Sequence, residues 1–197
     1  MVEEARLEAV ESGLTPATEG WFVVNVADAA WLVNEAFGAR CVFEADVPVI
    51  RGRPELEPVR FPQLGVRIAV LYPGKPSTMY HADPDQEGFL VLAGECLLIV
   101  EDEEWPLRAW DFFHCAPGTG HSFVGAGEGP CVLLMVGART PEGATVYRRS
   151  EAALRHGAGV EEETASPREA YPNVHWRRGR PATRLPWDSR AASAGDT

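Results

Sequence analysis

Short apolar runs and turn signals alternate along the middle of the chain. Leu64-Gly65-Val66-Arg67-Ile68-Ala69-Val70-Leu71-Tyr72 is a strand-like run that stops at Pro73-Gly74-Lys75-Pro76, a strong turn signal. Phe89 to Val100 is apolar and broken at Gly94, which predicts a long hairpin, and Glu101-Asp102-Glu103-Glu104 reads as an acidic turn. Asp111 to Cys115 and His121 to Val124 are further strands separated by Pro117-Gly118-Thr119-Gly120, and Cys131 to Gly137 is a last buried strand. Short strands punctuated at roughly 8–12 residues predict an all-β sandwich or barrel.

The flanks read differently. Leu7, Val10 and Leu14 lie at helical spacing, so residues 1–14 are expected to form a short amphipathic helix ending near Gly13 and Pro16. Trp21 to Val26 reads as a strand. Asp28 to Phe37 reads as a short helix with Asp28 near its N-cap and Gly38 at its end. Cys41 to Glu44 reads as a strand, and the Pro- and Arg-rich stretch Val47 to Pro62 as a surface loop. After Thr140, Ser150 to Gly157 predicts two helical turns with a Ser cap and a Gly stop. Residues 167–190 hold six Arg against Glu169 and Asp188, about +4 on a remainder of about −15. With Tyr171, Trp176, Leu185 and Trp187 as apolar anchors, this basic arm is expected to strap over the body or a partner subunit. The expected organisation is an N-terminal extension over 1–62, a β core over 63–140, and a C-terminal helix and arm over 141–197.

Composition narrows the function. A net charge of −11 and a pI near 4.9 repel phosphate backbones, so nucleic acid and anionic membranes are not expected partners. No apolar run has the length of a membrane span, roughly 18–20 residues. The acidic start Met1-Val2-Glu3-Glu4 is unlike a secretory signal. Cys41, Cys96, Cys115 and Cys131 show no CxxC spacing and mostly sit in apolar runs, which argues against a disulfide framework or a thiolate zinc site. A cytoplasmic protein is expected.

The chemistry concentrates between Met79 and Phe123. Residues two apart on a strand share a face, so His81 and Asp83 point to one side. Glu87 shares a face with Phe89, Val91 and Ala93, and a carboxylate heading an apolar face is costly unless paired, hydrogen-bonded or metal-bound. His121 opens another strand with Phe123 on its face. Two imidazoles plus carboxylates suit a divalent first-row metal. His114 lies on the alternate phase and reads as a core or back-face residue. Cys115 has no evident basic partner to activate it, and His175 in the tail is a weak alternative. No GxSxG, P-loop or GxGxxG motif is present.

These residues resemble the cupin superfamily. Its first motif runs from a glycine to a His-x-His pair, then a glutamate and a glycine; here stand Gly74, one residue further out than the motif has it, then His81, Asp83 in the second His place, Glu87 and Gly94. In the second motif Trp110 and Ala116 take the first Gly and the Pro places, Gly118 and His121 match, and Gly125 replaces the final Asn. The resemblance covers roughly Gly65 to Ala138. It implies a double-stranded β-helix (jelly-roll) barrel with short helical or extended extensions, and a metal held by His81, Asp83, Glu87 and His121. Fe2+ or Mn2+ is favoured, with Zn2+ and Ni2+ compatible.

On this resemblance the chain is expected to be a metal-dependent enzyme of dioxygenase, isomerase, decarboxylase or lyase type. A small molecule would be held against Tyr80, Phe89, Val91, Phe123 and Met135, and the chain would form a homodimer. The alternatives are a non-catalytic small-molecule-binding or storage cupin with a structural metal or none, and a structural dimer module.

Overall fold

The structure, a computed structural model, describes residues 1–140 and 143–188. In chain order its elements are β1 (Leu7–Val10), β2 (Gly13–Pro16), β3 (Trp31–Asn34), β4 (Gly38–Val42), α1 (Val47–Ile50), β5 (Leu64–Leu71), β6 (His81–Ala82), β7 (Glu87–Ala93) and β8 (Glu95–Val100). They continue with β9 (Glu103–Arg108), β10 (Phe112–Cys115), β11 (Gly120–Ala126), β12 (Cys131–Ala138), α2 (Glu151–Arg155), α3 (Pro167–Ala170) and β13 (Arg177–Arg178). Among the described residues, β1 and β2 form a hairpin, a seven-stranded sheet runs β10-β7-β12-β5-β4-β3-β13, and a four-stranded sheet runs β6-β11-β8-β9. The strand pairings within these sheets are antiparallel.

Period-2 alternation sorts each strand between two environments. The inner faces meet in a core of Ala69, Leu71, Phe89, Val91, Leu98, Cys115, Phe123 and Leu133, drawn from both sheets. The outer face of the large sheet carries Trp31, Ala39, Cys41, Ile68, Val70 and Val132, and Leu185 and Trp187 of the arm cover it. The outer face of the small sheet carries Ile99 and Val124, covered by Tyr80 and by Ala152 and Ala153 of α2. This is the double-stranded β-helix expected, flanked by extensions that close its outer faces.

Four local expectations are corrected. Residues 1–14 form the β1–β2 hairpin rather than a helix, because Leu14 exchanges backbone hydrogen bonds with Asp28 and Ala30 (2.7 and 2.9 Å). A helix so short has little stability of its own against such pairing. Asp28 to Phe37 is not helical: Trp31 and Leu32 are both buried but on opposite faces, the pattern of a strand covered on both sides. Trp21 to Val26 makes only an isolated bridge at Trp21, while Val24 and Val26 pack beside the outer-face cluster. Phe89 to Val100 is not a hairpin, since β7 joins the large sheet and β8 the small one. The chain changes sheets at Gly94, whose φ of +73° and backbone approach to Pro130, where a Cβ would lie 2.4 Å from the carbonyl oxygen, admit no side chain.

The stretch Val47 to Pro62, expected as a surface loop, is corrected as well: it holds α1 and buries Val49, Ile50 and Leu56 against Ala30, Leu32 and Val42. The expectations for α2, the acidic turn and the arm hold. Ser150 caps α2 by accepting from the Ala153 N–H at 3.1 Å. The acidic turn joins β8 to β9 and reaches further: Asp102 accepts from the Ser150 hydroxyl (2.6 Å) and the Ala152 N–H (2.9 Å), while Glu101 accepts from the Gly120 N–H (2.6 Å). The basic arm lies on its own acidic body, with Arg177–Glu35 and Arg178–Glu11 ion pairs at 3.1 Å each. Its end beyond Asp188 lies outside the described residues.

Candidate metal centre

Three elements bring the site together. His121 follows Gly120 at the start of β11 and pairs in register with His81 of β6. Glu87 opens β7 in the opposing sheet, across from Gly137 of β12. A Cβ at Gly137 would lie 3.3 Å from the Glu87 carboxylate, so a larger residue there would crowd it. One ligand atom from each of His81, Glu87 and His121 lies within 4.8 Å of the others.

Backbone carbonyls set the tautomers of both imidazoles. His81 Nδ1 is 2.7 Å from the Met79 carbonyl and His121 Nδ1 is 3.2 Å from the Thr119 carbonyl. A carbonyl only accepts, so each Nδ1 carries the proton and each Nε2 keeps its lone pair. His121 Nε2 faces Glu87 Oε2 at 3.3 Å, and that oxygen is buried with no hydrogen-bond donor. Two lone pairs in contact in a buried site need a proton or a cation between them.

The electrostatics agree. Burial pushes Glu87 up to about 7, helped by the Asp83 charge and opposed by Arg67. Burial, with the neighbouring His81, pushes His121 down to about 3. His81 also lies below its ordinary value through burial, against the Met79 carbonyl and Asp83. Near neutral pH both imidazoles are therefore neutral donors. Two imidazole nitrogens and a carboxylate oxygen, the set that comes together among the described residues, fit a divalent first-row metal.

Asp83, the fourth expected ligand, stands at the edge of this group. Its carboxylate accepts from the Thr145 hydroxyl (2.9 Å) and the Asp85 N–H (3.1 Å). Because β6 ends at Ala82, Asp83 no longer follows the strand alternation that would align it with His81.

The centre opens into a cavity of about 1110 Å³ between the sheets. Phe89, Phe123 and Met135 line it. Tyr80 and Val91 do not: Tyr80 packs against Ile99 and Val124 on the outside of the small sheet, and Val91 lies fully buried in the inter-sheet core. His114 and His175 are exposed. Cys115 sits 3.4 Å from His121 Nδ1, but burial pushes its thiol up to about 12, so it packs rather than reacts.

Residues beyond the expected set complete the walls. Arg40, Arg67, Tyr147, Tyr171 and Trp176 all line the cavity. Arg67 left a signal in the sequence, as a cation on the same strand phase as Ala69 and Leu71. Tyr171 and Trp176 were legible only as apolar anchors of the arm, and Tyr147 left no signal, because only the fold carries the C-terminal segment back to the cavity. Tyr147 lies beside the centre, its ring 6.0 Å from that of His81 and edge-on to Tyr171 at 5.5 Å.

The two facing sheets with this site between them form a double-stranded β-helix. Residues 67–137 match the family model described as a cupin domain. A candidate sugar phosphate isomerase from Acidithiobacillus ferrooxidans is similar at 29% identity, covering 43% of this chain and 54% of its own, about half its length, with a TM-score of 0.39. A sugar phosphate isomerase from a cupin superfamily, from Silicibacter pomeroyi, is similar at 19% identity, covering 66% of this chain and 88% of its own, TM-score 0.47. A DMSP lyase from Ruegeria pomeroyi is similar at 21% identity, covering 45% of this chain and 44% of its own, TM-score 0.38. Among curated proteins none matches the chain.

Proposed function

We propose that the protein is a metal-dependent enzyme acting on a small molecule held between its sheets. One observation carries the reading: Glu87 Oε2, buried without a hydrogen-bond partner, faces His121 Nε2 at 3.3 Å at the wall of a cavity of about 1110 Å³. A bound divalent ion, Fe2+ or Mn2+ by preference for two imidazoles and a carboxylate, would supply Lewis-acid and templating chemistry. Three protein donors leave positions for a substrate. Phe89, Phe123 and Met135 would exclude water from one side of it, and Tyr147 belongs to the same walls. Isomerase, lyase and dioxygenase chemistry all fit such a site, since a fold hosts many reactions.

Metal analysis of wild type with His81→Ala and His121→Ala tests the reading. Near-stoichiometric iron or manganese in the wild type, lost in both folded variants, is the expected result. Absence of metal after reconstitution, or full retention in both variants, would replace the enzyme by a small-molecule-binding or storage cupin.

The proposal includes a homodimer and a cytoplasmic setting. Phe112 and Leu64, exposed at 65% and 44%, line one surface groove with Leu90 and Leu134, the kind of apolar surface a second copy would cover. All the cysteines are free and buried, as suits a reducing compartment. No helix among the described residues is long and apolar enough to cross a membrane.

A further inference from the structure

Away from the metal centre, the inner face of the large sheet carries two cations where its neighbours carry apolar groups. Arg67 of β5 pairs with Met135 of β12, and Arg40 of β4 pairs with Ala69 of β5, which places both arginines on one face of adjacent strands. Both line the cavity. Among the described residues neither guanidinium has an ion-pair or hydrogen-bond partner. Arg40 Nε is buried and unpartnered, and the guanidinium instead lies over the Trp176 ring at 4.1 Å. Arg139 in the same wall shows what a satisfied arginine looks like here, holding Glu44 through two bonds of 2.6 and 2.7 Å.

A pair of like charges in a half-buried wall is costly unless something opposite in sign completes it. Burial and the Arg67 charge together push Arg40 down to about 10. Guanidinium forks match the oxygens of carboxylates and phosphates, and an aromatic ring stacked on one of them holds its plane in place. Strand order puts β5 two strands and β4 three strands from β7, about 10 and 14 Å at the backbone. Both arginines and the three candidate ligands line the same cavity of about 1110 Å³. On a molecule of net charge −11, this wall is a local attractor for anions.

We propose that the cavity binds a small substrate carrying a carboxylate or phosphate group, gripped by Arg40 and Arg67 while its other end faces His81, Glu87 and His121. This inference rests on the reading of the cavity as a substrate site. It assigns Arg40 and Arg67 as determinants of specificity and Trp176 as the plane that orients Arg40. The substrate is therefore anionic at one end, and a neutral analogue of the same shape binds poorly because it leaves both cations uncompensated.

Isothermal titration of the metal-loaded wild type with inorganic phosphate, malonate and neutral malonamide tests this. Phosphate or malonate is expected to bind and malonamide not, and the preferred anion distinguishes phosphorylated from carboxylated substrates. Arg67→Gln and Arg40→Gln are each expected to weaken the preferred anion by roughly tenfold or more, with metal content unchanged. Arg67→Lys, which keeps the charge but not the fork, should retain part of the affinity and covers the case in which Arg67→Gln misfolds. Binding of neither anion to the wild type, or affinities unchanged in both glutamine variants, overturns the proposal. A glutamine variant that only lowers thermal stability would make Arg40 a structural tie to Trp176. Titration of His121→Ala separates the two readings: arginine-dependent anion binding without metal would uphold the anion site even if the metal centre failed.

Discussion

The two faces of the large sheet are built from the same strands one residue out of phase, and they meet opposite fates. Outward, Trp31, Ile68, Val70 and Val132 are sealed by Leu185 and Trp187, whose ring lies 5.7 Å from that of Trp31. Inward, the same strands present Arg67 and Glu87, groups that burial disfavours, next to Phe89 and Met135. The outer face stabilises the sheet by removing apolar surface from water. The inner face holds polar groups short of partners, and such groups are retained where a ligand completes them. Stability and chemistry are thus divided between two sides of one layer.

The largest effect is expected on the sealed side. Trp31 is 1% exposed and donates its indole N–H to the Val26 carbonyl at 3.1 Å. Trp31→Ala should cost about 3–5 kcal/mol, read by urea unfolding, with metal content per folded molecule unchanged. A loss under about 1 kcal/mol would mean that the arm does not seal this face.

On the open side, removing a charge should instead stabilise the metal-free protein. Glu87 titrates at about 7 when folded, above its ordinary 4.5. Between those values the folded state holds a proton that the unfolded state has released, so the contribution of Glu87 to stability falls as pH rises. The depressed His121 and His81 act with the opposite sign, their contribution rising with pH up to about 6.5. Comparing Glu87→Gln with the metal-free wild type cancels the histidines. The variant should gain on the wild type from pH about 4.5 to about 7 and then level off, by a total on the order of 3 kcal/mol. A pH-independent difference would show that Glu87 is not the strained group.

The smallest effect is expected at the edge of the centre. With both carboxylate oxygens engaged by Thr145 and Asp85, Asp83→Asn should leave metal stoichiometry intact and weaken affinity only a few-fold. Complete loss of metal in that variant would make Asp83 a ligand after all.

The β core was legible in the sequence because alternation is a local property: β5, β11 and β12 follow their apolar runs almost residue for residue. His81, Glu87 and His121 were legible for the same reason, each heading a strand face at a motif position. The N-terminal strands were not. A run such as Trp31-Leu32-Val33 is covered on both sides and has no period to read, and Leu14 pairs with backbone far along the chain. Tyr80 and Val91 were misplaced because alternation names a face but not the depth at which a cavity stops.

By itself the sequence determined the positions of the main core strands, their phase and the chemistry of the three site residues, all set by period-2 geometry and side-chain type. Only the tertiary structure decided that β7 and β8 part at Gly94 into different sheets. It also decided that the Met79 and Thr119 carbonyls turn two Nε2 lone pairs toward Glu87, and that Arg40 and Arg67 share one wall. Those relations depend on which backbone groups pair across long stretches of chain, and no local pattern encodes the partner.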